Sequence, residues 1–107
     1  MRGSEKLVAA KKLAAENNWQ AAAILWEEEV VNENPKIKAK ACYNMAFYNE
    51  MNGKFEEAME WVVMAYAHDE NKYALTYMDV LRERIARNKI VEEQLQRSEI
   101  TASIGLN

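Results

Sequence analysis

In Ala41-Cys42-Tyr43-Asn44-Met45-Ala46, followed a few residues later by Asn52-Gly53-Lys54-Phe55-Glu56-Glu57-Ala58, an apolar stripe at helical spacing stops at Asn-Gly and then resumes. Glycine most easily takes the left-handed conformation that closes a helix, so Asn52-Gly53 is a stop signal. The spacing predicts one helix ending at Met51 and another over Phe55 to Ala67. His68 to Asn71 closes the second.

Upstream, Asn32-Glu33-Asn34-Pro35 is the clearest break in the chain. Asn34 can cap a helix, and Pro35 suits its first turn, where a missing N–H costs nothing. That helix runs from Pro35 to Met51. Trp19, Ala22 and Trp26 recur 36 residues later as Phe55, Ala58 and Val62, which marks an internal repeat. Two further helices follow from apolar spacing. Leu7, Ala10, Leu13 and Ala14 mark one from Glu5 to Glu16, ended by Asn17-Asn18. Trp19, Ala22, Ala23, Trp26 and Val30 mark another, from Trp19 to about Val31.

These residues resemble the tetratricopeptide repeat, whose period is about 34 residues. In the second repeat, Cys42, Met45 and Ala46 stand at the first-helix signature, and Ala58, Val62 and Ala65 fit the second helix. Asn49 replaces the usual aromatic, and Glu70 stands where the family often has Pro. The first repeat is more degenerate: Ala9, Ala10 and Leu13 stand in for the signature, and Glu29 occupies the last small position. The additional length is expected in the turn around Asn32 to Pro35, where it disturbs no helix face. The resemblance implies an all-α solenoid of antiparallel helix pairs, with repeat 1 at about residues 5–31 and repeat 2 at about 35–68.

After Asn71, Ala74, Met78, Leu81 and Ile85 form a stripe that predicts a capping helix over about residues 72–96. Beyond Ile85 charge dominates, though Ile90, Val91 and Leu95 could serve a partner helix. Residues 98–107 lack a helical period and are expected to form a flexible tail. The segment Asn71-Lys72-Tyr73-Ala74-Leu75 running into Leu81-Arg82-Glu83-Arg84-Ile85 also resembles the C-terminal part of bacterial tetratricopeptide-containing proteins of unassigned role. Read as a complete protein, the chain is expected in the cytoplasm; read as a fragment of such a protein, it would be exported or periplasmic. Met1-Arg2-Gly3-Ser4 is equally compatible with a native start and a vector remnant.

Half of the 107 residues are apolar, which allows a single small core. The net charge of −3 gives no broad attraction for nucleic acid or an anionic membrane. The lysines at 36, 38 and 40 and the cations Arg82, Arg84, Arg87 and Lys89 read as surface charge balanced by nearby glutamates. No apolar run approaches the roughly 20 residues of a membrane span, and the single cysteine cannot make an internal disulfide.

Chemistry is sparse. His68 has no ligand partner at helical spacing and reads as a turn residue. Cys42 occupies a signature position and reads as core filling. Glu27-Glu28-Glu29 point in different directions and read as a solvated face, and Glu56 and Glu57 complement the start of their helix. No enzyme activity, metal or cofactor is expected.

In the resembled fold the first helix of each repeat lines a concave groove. The resemblance implies that Lys40, Tyr43, Phe47, Glu50 and Met51 face it in the second repeat. Tyr43, Phe47 and Met51 recur every four residues and make an apolar strip edged by Lys40 and Glu50. Three readings follow: a groove for an apolar peptide or helix, a surface covered by the capping helix, or ordinary core. The basic clamp that some family members use for a terminal carboxylate is not reproduced, because Leu7, Lys11, Tyr43 and Phe47 lack its polar pattern. The expected partner is a protein or peptide. The rival expectation is an architectural segment completed by self-association, since about three repeats usually bury a stable solenoid core.

Overall fold

The computed structural model describes residues 4–103, which form five helices: α1 Glu5–Ala15, α2 Trp19–Glu29, α3 Pro35–Met51, α4 Phe55–His68 and α5 Lys72–Ser103. The described residues contain no strand, and the helices pack chiefly on their neighbours in sequence, α3 and α4 most extensively. Local chemistry sets the starts. The Ser4 hydroxyl accepts from the N–H groups of Lys6 and Leu7 at 3.1 and 3.2 Å, and Asn34 Oδ1 accepts from that of Lys36 at 3.0 Å, with Pro35 in the first turn.

The 36-residue spacing is present in the backbone as well as the sequence. Asn17 and Gly53, one in each helix-pair turn, are both left-handed, with φ of 63° and 75°. The residues after them make the same closing bond: Asn18 N–H to the Leu13 carbonyl and Lys54 N–H to the Asn49 carbonyl, each 2.8 Å. Burial repeats as well, since Ala10 and Ala46, Ala22 and Ala58, and Trp26 and Val62 are all buried. Alanine at these crossings lets the helix backbones approach closely.

Two apolar clusters result. Ala10, Ala22, Ala23, Trp26 and Met45 form one; Ala46, Ala58, Val62, Ala74, Met78 and Leu81 form the other, and Trp61 packs against both. Cys42 is fully buried within α3 and fills the core. His68 is the exposed last residue of α4. Glu56 and Glu57 occupy that helix's first turn.

The reading of Glu29 is corrected. Glu29 is not part of a solvated face: it is 7% exposed, and its carboxylate accepts from Asn32 Nδ2 at 3.2 Å. It continues the buried stripe of Ala22 and Trp26 at helical spacing, so α2 carries it inward. It also lies 36 residues before Ala65, which is buried as well.

The end of α5 differs from the expected capping helix over 72–96. The helix continues through residues 98–103, which the sequence reading assigned to a tail. Neither Gly nor Pro interrupts it there, the Thr101 hydroxyl bonds back to the Arg97 carbonyl at 2.9 Å, and Arg97 pairs with Glu93 at 3.9 Å. Residues 104–107 of the expected tail, and residues 1–3 of the start, lie outside the described residues. Only the first part of α5 packs: Ala74, Met78 and Leu81 are buried, Ile85 is half-buried, and residues 86–103 are exposed. This projection stretches the described body to 66 Å along its longest axis.

Candidate functional site

A groove of about 730 Å³ opens between α1, α3 and the junction of α4 with α5. The apolar face of α1 is only partly used for packing, so Leu7 and Val8 reach the groove, joined by Lys11. Lys40, Tyr43 and Phe47 line it from α3, and Trp19 and Trp26 from α2. Asp69, Asn71 and Tyr73 close the end at the α4–α5 turn. Val8 and Tyr73 are 69% and 66% exposed, so both leave apolar surface open on the groove.

Of the five residues singled out from sequence, Lys40, Tyr43 and Phe47 come together on the groove wall, whereas Glu50 and Met51 do not line it. Phe47 is 42% exposed and leans on Trp19, with ring centroids 5.7 Å apart. Tyr43 is half-buried and packs on Tyr77 of α5, 5.3 Å between centroids at 48°. Glu50 belongs to the α3–α5 contact: its carboxylate accepts from the Tyr77 hydroxyl at 2.7 Å and pairs with Arg84. Met51 lies exposed at the end of α3. Helix α5 therefore holds one edge of the strip, through Tyr43 and Glu50, and leaves Phe47 and Met51 open.

Burial, and secondarily the neighbouring Tyr43, pushes the Tyr77 phenol up to about 12, so it stays a hydrogen-bond donor at any physiological pH. Burial also raises the Cys42 thiol, against a smaller opposing effect of Lys38, which disfavours the reactive thiolate. Among the described residues no three His, Cys, Asp or Glu side chains group to hold a metal ion, and no helix is long and apolar enough to cross a membrane.

Sequence reasoning did not place Val8, Tyr73 or Tyr77 in this neighbourhood. The repeat does lead to the α1 wall, because Leu7 and Lys11 stand 36 residues before Tyr43 and Phe47. Nothing local in the sequence marks Tyr77, whose role depends on how α5 lies against α3.

The chain is thus an all-α protein of successive packed helices with an open aromatic groove. Residues 8–83 match the family described as a domain of unknown function, DUF6340, and the chain belongs to that family. The matched segment runs from α1 into α5 and ends at Glu83, beside Ile85, the last half-buried residue of α5. No curated protein and no solved structure matches the chain.

Proposed function

We propose that this chain is a noncatalytic binding module of tetratricopeptide type that holds a peptide or helix of another protein in the groove between α1 and α3. The observation that supports this reading is the groove itself: a concavity of about 730 Å³ with Val8, Phe47 and Tyr73 substantially exposed along it. A concave site lined by aromatic and aliphatic side chains, with a few polar groups, is the usual form of a binding pocket. Tyr and Trp at such surfaces supply most of the contact energy.

The test is selection of a random peptide library on the immobilised protein, in parallel with a Val8→Asn/Tyr73→Ala variant. Both side chains are mostly exposed, so the variant keeps its fold while losing apolar groove surface. Enrichment of a common motif on the parent, lost on the variant, supports the reading. No enrichment, or equal enrichment on both, rejects it.

A second reading, a structural segment completed by association, is favoured by one specific feature: residues 86–103 of α5 are exposed throughout and include the apolar Ile90, Val91, Leu95 and Ile100. A mass and melting temperature that rise with concentration would support it, because association stabilises only the folded form.

A further inference from the structure

The charged lining of the groove runs opposite to the charge of the chain. The protein carries a net −3, yet the charged side chains on the groove are Lys11 from α1 and Lys40 from α3 against the single Asp69. Both lysines are exposed, and among the described residues neither makes an ion pair. By contrast, Lys6 on the same helix as Lys11 pairs with Glu28 at 3.2 Å, and Arg84 pairs with Glu50.

Their placement is not that of a single charged spot. Lys40 precedes Tyr43 by about one turn, while Lys11 stands 36 residues before Phe47, one turn beyond Tyr43. The two lysines thus reach the groove from different helices, Lys11 from α1 and Lys40 from α3. A ligand on the apolar lining would meet a cation from each of these helices.

We infer that the occupant of this groove is an acidic peptide: an apolar or aromatic side chain seated on the apolar lining, with neighbouring Asp or Glu side chains facing Lys11 and Lys40. This rests on the binding-module reading above and adds the chemistry of its partner. Complementary charge at the rim of an apolar contact speeds encounter and excludes basic competitors, while the apolar centre supplies most of the retention. Bare surface cations at this distance from bulk water give a modest, salt-sensitive preference.

The experiment uses three sets of synthetic peptides with the same aromatic and aliphatic centre, flanked on both sides by Asp and Glu, by Asn and Gln, or by Lys and Arg. A single-stranded oligonucleotide is included as a fourth probe. Binding is read at low and high salt by tryptophan fluorescence, since Trp19 and Trp26 line the groove. The acidic set is expected to bind roughly tenfold more tightly than the neutral set at low salt, with most of the difference gone at high salt. Lys11→Gln/Lys40→Gln should bind acidic and neutral peptides equally, at the neutral level. Equal binding of acidic and neutral peptides to the parent, lost in Val8→Asn/Tyr73→Ala, overturns the charge inference and leaves the groove reading standing. No peptide binding, or binding indifferent to Val8→Asn/Tyr73→Ala, overturns both. A preference for basic peptides, or an oligonucleotide bound through the same two lysines, overturns the acidic peptide in favour of that ligand.

Discussion

The Tyr77 hydroxyl donates to Glu50 Oε1 at 2.7 Å, joining α5 to α3 across 27 residues of sequence. The Glu50 side chain is only 9% exposed, and Arg84, one half of it exposed, pairs with the same carboxylate. A nearly buried carboxylate must be partnered to be tolerated, so this contact fixes where α5 can lie. The position of α5 in turn sets Tyr73 at the end of the groove and Tyr77 against Tyr43.

Replacing Tyr77 with Phe keeps the ring packing and removes the donor. A hydrogen bond to a charged group is worth about 1.5 to 3 kcal/mol, and Arg84 still pairs with Glu50, so the loss should be near the lower end. Urea unfolding of Tyr77→Phe should show it as a lower midpoint with an unchanged slope. In a double-mutant cycle with Glu50→Gln, a coupling below about 0.5 kcal/mol would show that the bond does not hold α5 in place.

Alkaline pH should weaken the fold in a defined window. Cys42 and Tyr77 both hold their protons more tightly when folded, so the unfolded chain loses them first and stability falls as pH rises. Their contribution is complete below the ordinary thiol range and declines above it, Tyr77 acting between its ordinary value near 10 and about 12. Melts at about pH 8, 10 and 11.5 should give falling midpoints, with a shallower fall above about pH 10 in Tyr77→Phe. A melting temperature flat across that range would contradict the burial of both groups.

Much of this architecture was legible from residues alone because its signals are local. Asn34-Pro35 and Asn52-Gly53 bound α3, whose ends fall where they predict, and the recurrence of Trp19, Ala22 and Trp26 gave the 36-residue register. Glu29 misled because its neighbours Glu27 and Glu28 are exposed and only its helix phase carries it inward. The last turns of α5 were missed because Ser98 and Thr101 are weak helix formers, yet nothing there breaks a helix already propagating. The groove was half legible. Lys40, Tyr43 and Phe47 follow from the face of α3, whereas the diversion of Glu50 to Tyr77 and Arg84 depends on α5, which no local pattern orients.

The two helix-pair turns make a natural comparison. Asn18 and Lys54 have nearly the same backbone angles, with φ of −93° and −94° and ψ of 70° and 72°, but only Asn18 caps its helix, accepting from the Ala21 N–H. Lys54→Asn should supply the missing cap to α4 and stabilise the protein by about 0.5 to 1 kcal/mol in thermal or urea unfolding. An unchanged midpoint would mean that water already satisfies those amides equally well.

Ala58 is fully buried where α4 crosses its neighbours, in the cluster with Ala46 and Val62. Leucine there must push the helices apart, at a cost of roughly 1 to 3 kcal/mol. Ala58→Leu should lose melting cooperativity while keeping most of its far-ultraviolet helix signal. A melt like the parent's would show that the crossing is loose.

The exposed part of α5 is held by contacts within the helix, Asn88 to Glu92 at 3.3 Å and Arg97 to Glu93 at 3.9 Å. Side chains this exposed contribute little to the stability of the body, and such helix pairs are worth only about 0.2 to 0.5 kcal/mol each. A chain ending at residue 93 should therefore unfold within about 0.5 kcal/mol of the full chain while losing the circular-dichroism signal of the removed turns. Running both at two concentrations separates the proposed roles of the chain. If the projecting turns drive self-association, the full chain alone will gain stability with concentration, and the shortened chain will be the less stable of the two at the higher one. If the groove is the working surface, the two will stay matched at both concentrations and will bind the same peptides, because the groove's lining ends at Ala74.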